Sequence, residues 1–158
     1  MKYVCDNCGA ETEGHPGDDC PGCSGNLTWR ASASTMFVGN SFPMSLVTTP
    51  VLITPVSLAW LIPRAAECAI VSLWGHENTR KIAEKLLCVS LKPATERPAL
   101  VPNPKGKGVA LASDPTIGST LVYLLTPSYR PGFRPAIGVE VTPADILGWT
   151  ALKVEFLL

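Results

Sequence analysis

Residues 70–87 predict a strand, a tight turn and a helix in direct succession, and this unit constrains the fold more than any other stretch of the chain. Residues 70–73 are apolar and rich in β-branched side chains, and Trp74-Gly75 follows as a turn. A helix is predicted from Glu77 to Leu87, because Ile82, Ala83, Leu86 and Leu87 recur at helical spacing opposite Arg80, Lys81, Glu84 and Lys85. The strand must pair with other strands in a sheet, and the helix must bury its apolar face against another element. We therefore expect an α+β fold with a mixed sheet and a few helices.

The turn delivers His76 to the start of the predicted helix. Backbone N–H groups at a helix N-terminus have no partner within the helix, and together with the helix dipole they attract anions such as phosphate. Histidine exchanges protons near neutral pH, so His76 is a candidate general acid or base. The alternative is that His76 simply caps a core helix. The other histidine, His15, lies in a different predicted domain.

Composition separates a short acidic segment from a mildly basic main domain. The 158 residues have a formal net charge of zero, and 46% are hydrophobic. Residues 1–30 carry a net charge of −3, and the remainder carries +3. We therefore predict two domains, 1–30 and 31–158, with no stable DNA binding. A phosphate-bearing ligand suits the main domain but is not required by its charge.

The segment between Arg30 and Arg64 contains no charged residue. A bilayer-crossing helix needs about 20 mainly apolar residues. Here the run is interrupted by Pro43, Pro50, Pro55 and Pro63 and by several hydroxyl side chains, which favour buried strands and turns. We expect no membrane association, although a membrane anchor following a metal module is an alternative. No apolar leader is visible at the N-terminus, so a cytoplasmic location is expected, in the host if the source is viral.

Four cysteines near the N-terminus form two knuckles, Cys5-x2-Cys8 and Cys20-x2-Cys23, separated by eleven residues. Four thiolates at this spacing predict a tetrahedral metal site, and the polar segment between the knuckles has no core of its own. We therefore predict a zinc ribbon over residues 1–30. The pattern is also similar to the rubredoxin-like ribbon of rubrerythrins, which leaves iron as the alternative. Cys68 and Cys88 are interpreted as buried thiols.

Further elements are predicted along the main domain. Strands are expected at 35–38, in the segments that continue to about residue 60, and at 100–101, 109–112, 119–126 and 151–157, and a helix is expected over part of 64–68. Thr142, Pro143 and Asp145 form a helix-start signal, which predicts a second helix ending at Trp149. Residues 105–108 (Lys-Gly-Lys-Gly) are interpreted as a hairpin tip, with phosphate binding as the alternative.

Four features in this order resemble the viral ring nucleases, a type III anti-CRISPR family. They are residues 37–42, the run 72–79 leading into 83–87, the late strand 121–130, and the ending 141–147 followed by 152–156. The Gly-His-x-x-Thr element at Gly75, His76 and Thr79 is the most specific part. The resemblance covers residues 35–158 and leaves the cysteine module outside.

The resemblance implies a small α+β homodimer that binds cyclic tetra-adenylate, the cyclic oligoadenylate messenger of type III CRISPR defence. Such enzymes cut the ring into linear di-adenylates without a metal. A ribose 2′-OH attacks the adjacent phosphorus and leaves a 2′,3′-cyclic phosphate. His76 matches the catalytic histidine, which protonates the departing 5′ oxygen.

Several ligand-binding positions also carry over. Asn40 matches an asparagine that contacts the ligand, and Ser41 or Ser45 is expected to substitute in binding for the family residues that this chain lacks. Arg97 matches an arginine that follows the long helix. Arg130 is the best match for the arginine after the late strand, and Arg134 is the second choice.

The chain departs from the family pattern at some of these positions. Pro43 and Ser45 replace the usual serine and asparagine, and Glu96 stands beside Arg97 in place of asparagine. Thr126 and Phe133 stand where glutamine and glutamate flank the late arginine. These differences bear on the rate of cleavage more than on binding.

Two alternative functions are considered. The first is a non-catalytic module that binds a cyclic nucleotide or nucleic acid through the same fold, with the ribbon docking a partner. The second is a zinc-ribbon protein of the transcription apparatus, which the acidic ribbon disfavours.

Overall fold

The computed structural model describes residues 2–5, 8, 11–13, 19–23, 27–28 and 35–157. The chain divides into two compact units, Met1–Ser34 and Thr35–Leu158. In the first unit, β1 (Lys2–Cys5) pairs antiparallel with both β2 (Glu11–Glu13) and β3 (Leu27–Thr28). His15 and the rest of the polar segment 14–18 lie outside the described residues, as does the side chain of Cys5.

The second unit contains eight strands and two α-helices in its described part. In chain order these are β4 (Thr35–Gly39), β5 (Val51–Val56), α1 (Leu58–Ala66), β6 (Ala69–Ser72), α2 (Glu77–Leu87), β7 (Leu100–Pro102), β8 (Val109–Leu111), β9 (Gly118–Ser119), β10 (Leu121–Tyr129) and β11 (Ile146–Phe156). Single 3-10 turns occur at Met44–Leu46, Ala94–Glu96 and Pro143–Asp145. The prediction of an α+β fold with a mixed sheet is confirmed.

The main sheet has five strands in the order β5-β11-β10-β4-β6. β4 runs parallel to both of its neighbours, β10 and β6, whereas β11 runs antiparallel to β10 and β5. The carboxyl ends of β4 and β6 therefore lie at the same edge of the sheet. A smaller antiparallel sheet, β7-β8-β9, follows α2 in the chain.

The sheet separates two apolar layers, because successive side chains of a strand point to opposite faces. One layer packs the helices against the sheet and includes Met36, Val38, Leu61, Ala65, Trp74, Ala83, Leu87, Tyr123 and Leu125. The other layer joins the sheet to the small sheet and includes Phe37, Leu73, Val109, Val122, Val154 and Phe156. β4 thus contributes to both layers, and its end is held from both sides.

The helix predicted at the centre of the chain is confirmed, and α2 has the predicted bounds. Its inward positions include Ala83 and Leu87, which have no exposed surface. The helix ends at Cys88, whose φ of 55° is the left-handed conformation of many helix C-termini. Cys88 is consequently exposed, and its interpretation as a buried thiol was wrong.

Cys68 is half-buried, and burial together with the neighbouring Glu67 carboxylate raises the pKa of its thiol. It lies between α1 and β6, where the chain returns to the sheet. The thiols of Cys68 and Cys88 therefore differ in their surroundings: the first is half-buried and the second is exposed.

Two other predicted elements differ from the structure. α1 spans Leu58–Ala66 rather than part of 64–68, because Ser57 caps it by accepting a hydrogen bond from the Trp60 backbone at 3.1 Å. The predicted helix from Thr142 to Trp149 is only a 3-10 turn. From Ile146 onward the chain pairs with β10, so ladder hydrogen bonds replace helical ones.

None of the helices in the described part of the chain has both the length and the apolarity that a bilayer crossing requires. The described part of the uncharged segment forms β4, a 3-10 turn, β5 and the first six residues of α1.

Candidate functional site

The candidate site lies where β4 and β6 end. Asn40 follows β4 directly, and the turn through Gly75 to His76 follows β6. Because these neighbouring strands are parallel, their carboxyl ends open onto one edge of the sheet, which is where α/β folds place their ligands. The fold therefore brings Asn40 and His76, which are 36 positions apart in the sequence, into contact.

His76 is the N-cap residue of α2, and its side chain is exposed. Its backbone is held from below by the fully buried Trp74, whose indole Nε1–H donates to the His76 carbonyl at 3.0 Å. The same N–H lies 3.1 Å from the Thr79 hydroxyl, which itself donates to the His76 carbonyl at 3.2 Å. The imidazole is thus presented to solvent from a rigid support.

Asn40 is only 9% exposed and uses both ends of its amide. Its Oδ1 accepts a hydrogen bond from the Gly75 backbone N–H at 2.7 Å, and its Nδ2 lies 2.6 Å from Nδ1 of His76. These two contacts fix the turn and the imidazole to the end of β4.

Arg97 packs against Gly75. A Cβ atom on Gly75 would come within 2.9 Å of Arg97 Nη1, so glycine allows the guanidinium to approach the turn. Arg97 Nη2 also donates to the Ser41 carbonyl at 3.2 Å. Asn40, Ser41, Gly75, His76 and Arg97 therefore form one cluster, in which Ser41 contributes its backbone.

A charged network holds the segment that leads to Arg97 against α2. The Arg80 side chain, 11% exposed, binds the carboxylates of Glu77 at 2.6 Å and Glu84 at 2.7 Å. Those carboxylates in turn accept the backbone N–H groups of Ala94 and Leu91, each at 3.0 Å. The polar face of α2 is consequently a structural surface that orients the chain before Arg97.

This network predicts an acid-sensitive component of stability. The hydrogen bond from Arg80, reinforced by the Ala94 N–H, lowers the pKa of Glu77 from 4.5 to about 2. A carboxyl whose pKa is lower in the folded state stabilises the fold above its unfolded pKa, and this contribution is lost between about pH 5 and pH 2. Urea unfolding should therefore show wild type more stable than Glu77→Gln at pH 7, with the difference shrinking as the pH falls.

The exposed carboxylate of Glu140 provides the matched control. Glu140→Gln should leave the pH dependence of the wild type nearly unchanged. A Glu77→Gln difference that stays constant from pH 7 to pH 3 would contradict the assignment.

Of the remaining predicted ligand residues, Thr79 contacts the His76 backbone, and the others lie elsewhere. Thr79 is 2% exposed and serves the N-cap network, while Ser45 is exposed within its 3-10 turn. Arg130 follows β10, where its Nε lies 3.0 Å from Asp145 Oδ1 and its guanidinium covers the Phe133 ring at 4.9 Å. Arg134 is exposed. In the described part of the chain, no hydrogen bond or ion pair joins either arginine to the His76 cluster.

Asp145 fixes Arg130 to the turn at the start of β11. The Thr142 backbone N–H, and then Arg130, lower the pKa of the Asp145 carboxyl, which keeps it ionised. Arg130 is therefore engaged by a carboxylate in the structure, unlike Arg97, whose described hydrogen bond is to a carbonyl.

A separate groove of about 350 Å³ lies along the flank of α2. It is lined by Lys81, Ile82, Lys85, Leu86, Pro143 and Trp149. None of these residues belongs to the His76 cluster, whose imidazole is exposed.

Three cysteines of the first unit form a cluster that can hold a metal ion. The sulfurs of Cys8, Cys20 and Cys23 lie within 4.8 Å of one another, and none of the three forms a disulfide. The Cys8 and Cys20 sulfurs are 3.7 Å apart. Ligands about 2.3 Å from a tetrahedral zinc are separated by about 3.8 Å, so this spacing fits such a metal.

Sequence reasoning missed two residues that shape the site. Trp74 supports the N-cap through its indole N–H, and a tryptophan directly before a Gly-His turn was the available signal. Gly39 is the second: a Cβ there would lie 2.8 Å from Leu73 Cβ and 3.0 Å from the Leu73 carbonyl oxygen. Its place at the end of a buried strand was the corresponding signal.

A comparison with known protein families finds no matching family, and a comparison with curated protein sequences finds no matching relative.

Proposed function

We propose that this protein is a metal-independent ring nuclease that opens cyclic tetra-adenylate and thereby counters type III CRISPR signalling. The observation that carries the proposal is the exposed His76 imidazole at the N-terminus of α2, with the Arg97 guanidinium packed against the neighbouring Gly75. An internucleotide phosphate bound there would meet an imidazole, a guanidinium and the first-turn N–H groups. These groups can bind the phosphate, stabilise negative charge on it and donate a proton.

The reaction is an in-line displacement at phosphorus. The ribose 2′ oxygen forms the new P–O bond and loses its proton to water, while the P–O bond to the 5′ oxygen breaks and that oxygen gains a proton from His76. The products are linear di-adenylates ending in a 2′,3′-cyclic phosphate. His76 supplies the proton at the 5′ oxygen, and Arg97 with the helix N-terminus stabilises the negative charge that develops on the phosphoryl oxygens.

The ring also motivates a homodimer. His76 lies on open surface in one copy of the chain, and a second copy related by a two-fold axis would enclose the ligand between two such sites. Two scissile phosphates on opposite sides of the ring of four nucleotides would then each face the His76 of one protomer. This arrangement yields two di-adenylates from one ring.

The second candidate function is binding without cleavage. The contact that favours it is the 2.6 Å approach of the Asn40 amide to His76 Nδ1, which presents a donor to the ring nitrogen. In that case the same cluster would sequester the cyclic nucleotide, and the phosphodiester bonds would stay intact.

Incubation of the purified protein with cyclic tetra-adenylate in excess EDTA separates the two functions. The nuclease proposal predicts that chromatography and mass spectrometry detect linear di-adenylates with 2′,3′-cyclic phosphate ends. Tight binding with unchanged substrate, measured on folded dimeric protein, would support the binding function and overturn the nuclease proposal.

We further propose that the first unit binds a structural zinc through Cys5, Cys8, Cys20 and Cys23. Three of these thiols already cluster, and Cys5 ends β1 of the same small unit. Four thiolates leave no open coordination position, so the ion would stabilise the ribbon without touching the substrate. Iron in place of zinc would give a coloured protein.

Elemental analysis should find one zinc per chain in the wild type and a loss of most of it in Cys20→Ser. The buried Cys20 accepts a hydrogen bond from the Gly22 backbone, so the variant disturbs the cluster directly. Cys88→Ser, an exposed thiol outside the cluster, is the control and should keep full zinc content. Equal zinc in both variants would exclude the proposed ligand set.

A further inference from the structure

We infer that Asn40 is a positioning residue that holds Nδ1 of His76 as a hydrogen-bond acceptor and thereby places the proton of the neutral ring on Nε2. The inference rests on the proposed function only for its catalytic consequence. The resemblance implied a ligand contact for Asn40, whereas the structure engages both ends of its buried amide inside the protein.

The orientation of the Asn40 amide is determined by its second contact. The Gly75 backbone N–H is a donor only, so the atom 2.7 Å from it must be the carbonyl oxygen Oδ1. The NH₂ group then necessarily points to His76 Nδ1 at 2.6 Å. An amide turned by 180° would place NH₂ against N–H at Gly75 and lose that hydrogen bond.

A donor facing Nδ1 requires a lone pair on Nδ1. The neutral ring therefore carries its proton on Nε2, and the described residues make no hydrogen bond to that atom. Nε2–H is consequently the group offered to a bound phosphate or to the departing 5′ oxygen. In this tautomer Nε2 has no lone pair, so His76 cannot act there as a general base.

Full proton transfer from His76 places a condition on Asn40. The ring must carry a second proton on Nδ1 before it can release the proton on Nε2. The Nδ1–H group would then face the NH₂ group of Asn40, which is also a hydrogen-bond donor. The Asn40 amide must then rotate, and it loses the hydrogen bond that it accepts from the Gly75 backbone N–H. The charged residues next to His76 in the site are Arg97, which packs against Gly75, and Glu77, the following residue, whose carboxylate is already held by Arg80 and the Ala94 N–H.

Replacing the amide with a carboxylate removes this conflict. In Asn40→Asp one oxygen can still accept from Gly75, and the other can accept a proton donated by His76 Nδ1. The variant is nearly isosteric, so the turn and the ring keep their places. The expected change is in the position of the ring proton and in the pH range over which His76 donates it.

The test is ¹⁵N NMR of the imidazole nitrogens in the full-length protein without substrate, at a pH where the rings are neutral. His15→Gln assigns the signals, since it leaves one histidine. We expect Nδ1 of His76 to give an unprotonated signal and Nε2 a protonated one in wild type, and the reverse in Asn40→Asp. A protonated Nδ1 in the wild type would overturn the inference, whatever the enzymatic activity.

Single-turnover cleavage across pH provides the second readout. Asn40→Asp should extend cleavage to higher pH, whereas Asn40→Ala should slow it by on the order of 10–100-fold without that extension. Identical pH profiles for wild type and Asn40→Asp would overturn the catalytic consequence. If no variant cleaves the ring, the proposed function fails, and the NMR result still decides the tautomer.

Discussion

Replacing His76 with alanine is expected to slow ring opening by about 10²–10⁴-fold in single turnover. The expected dissociation constant for cyclic tetra-adenylate changes by less than about threefold, because Arg97 and the N-terminus of α2 remain. The imidazole is exposed, and in the described part of the chain its hydrogen bond is made at Nδ1, so its removal should leave the fold intact. Rapid quench with chromatography measures the rate, and calorimetry measures the binding.

His15→Ala is the matched control, since it removes the other histidine of the chain. Its cleavage rate should equal that of the wild type. Equal rates in wild type and His76→Ala would remove His76 from the chemistry. A large loss of ligand affinity in His76→Ala would instead assign the ring a binding role.

Replacing Gly39 with alanine is expected to destabilise the second unit by about 2–3 kcal/mol, the upper part of the usual cost of overpacking a filled core. The new Cβ would lie 2.8 Å from Leu73 Cβ and 3.0 Å from the Leu73 carbonyl oxygen. The carbonyl cannot swing away as a flexible side chain can, because the Leu73 N–H bonds to the Val38 carbonyl at 2.7 Å. Strands β4 and β6 must therefore separate, and Asn40 shifts with them.

Gly148→Ala provides the control for this prediction. Gly148 also lies in a strand, β11, but a Cβ there meets no atom within 4 Å. Urea unfolding should place its midpoint close to that of the wild type, with Gly39→Ala well below both and the slope unchanged. Equal midpoints for the two variants would show that the β4–β6 contact is looser than its geometry indicates.

Local sequence signals predicted the central strand–turn–helix unit closely. Helix α2 begins and ends where the glycine turn, the helical spacing of Ala83 and Leu87, and the polar face indicated. Its caps and its apolar stripe lie within one short segment, so no distant residue was needed to recognise it.

Elements that depend on distant partners were not predicted correctly. The Thr142 backbone N–H and hydroxyl both donate to the Asp145 carboxylate, yet the chain turns into β11 because β10 pairs with it as far as Tyr129. α1 contains Pro63, a residue that argues against a helix in sequence, but packing of Leu61 and Ala65 in the core compensates for it.

The candidate site shows the same division. Asn40, His76 and Arg97 were singled out from the sequence, and the structure brings them together around Gly75. The support of the site was not predictable, because the link from Arg80 to the segment before Arg97 depends on how that segment packs on α2. Arg130 is positioned by Asp145, a pairing that only the β10–β11 register creates.

The most direct measurement of the central claim is a crystal structure of His76→Ala with cyclic tetra-adenylate. We predict one internucleotide phosphate in contact with the Arg97 guanidinium and the first-turn N–H groups of α2, repeated across a two-fold axis. A ring bound elsewhere on the protein, or a phosphate beyond reach of the position that the His76 imidazole occupies, would contradict it.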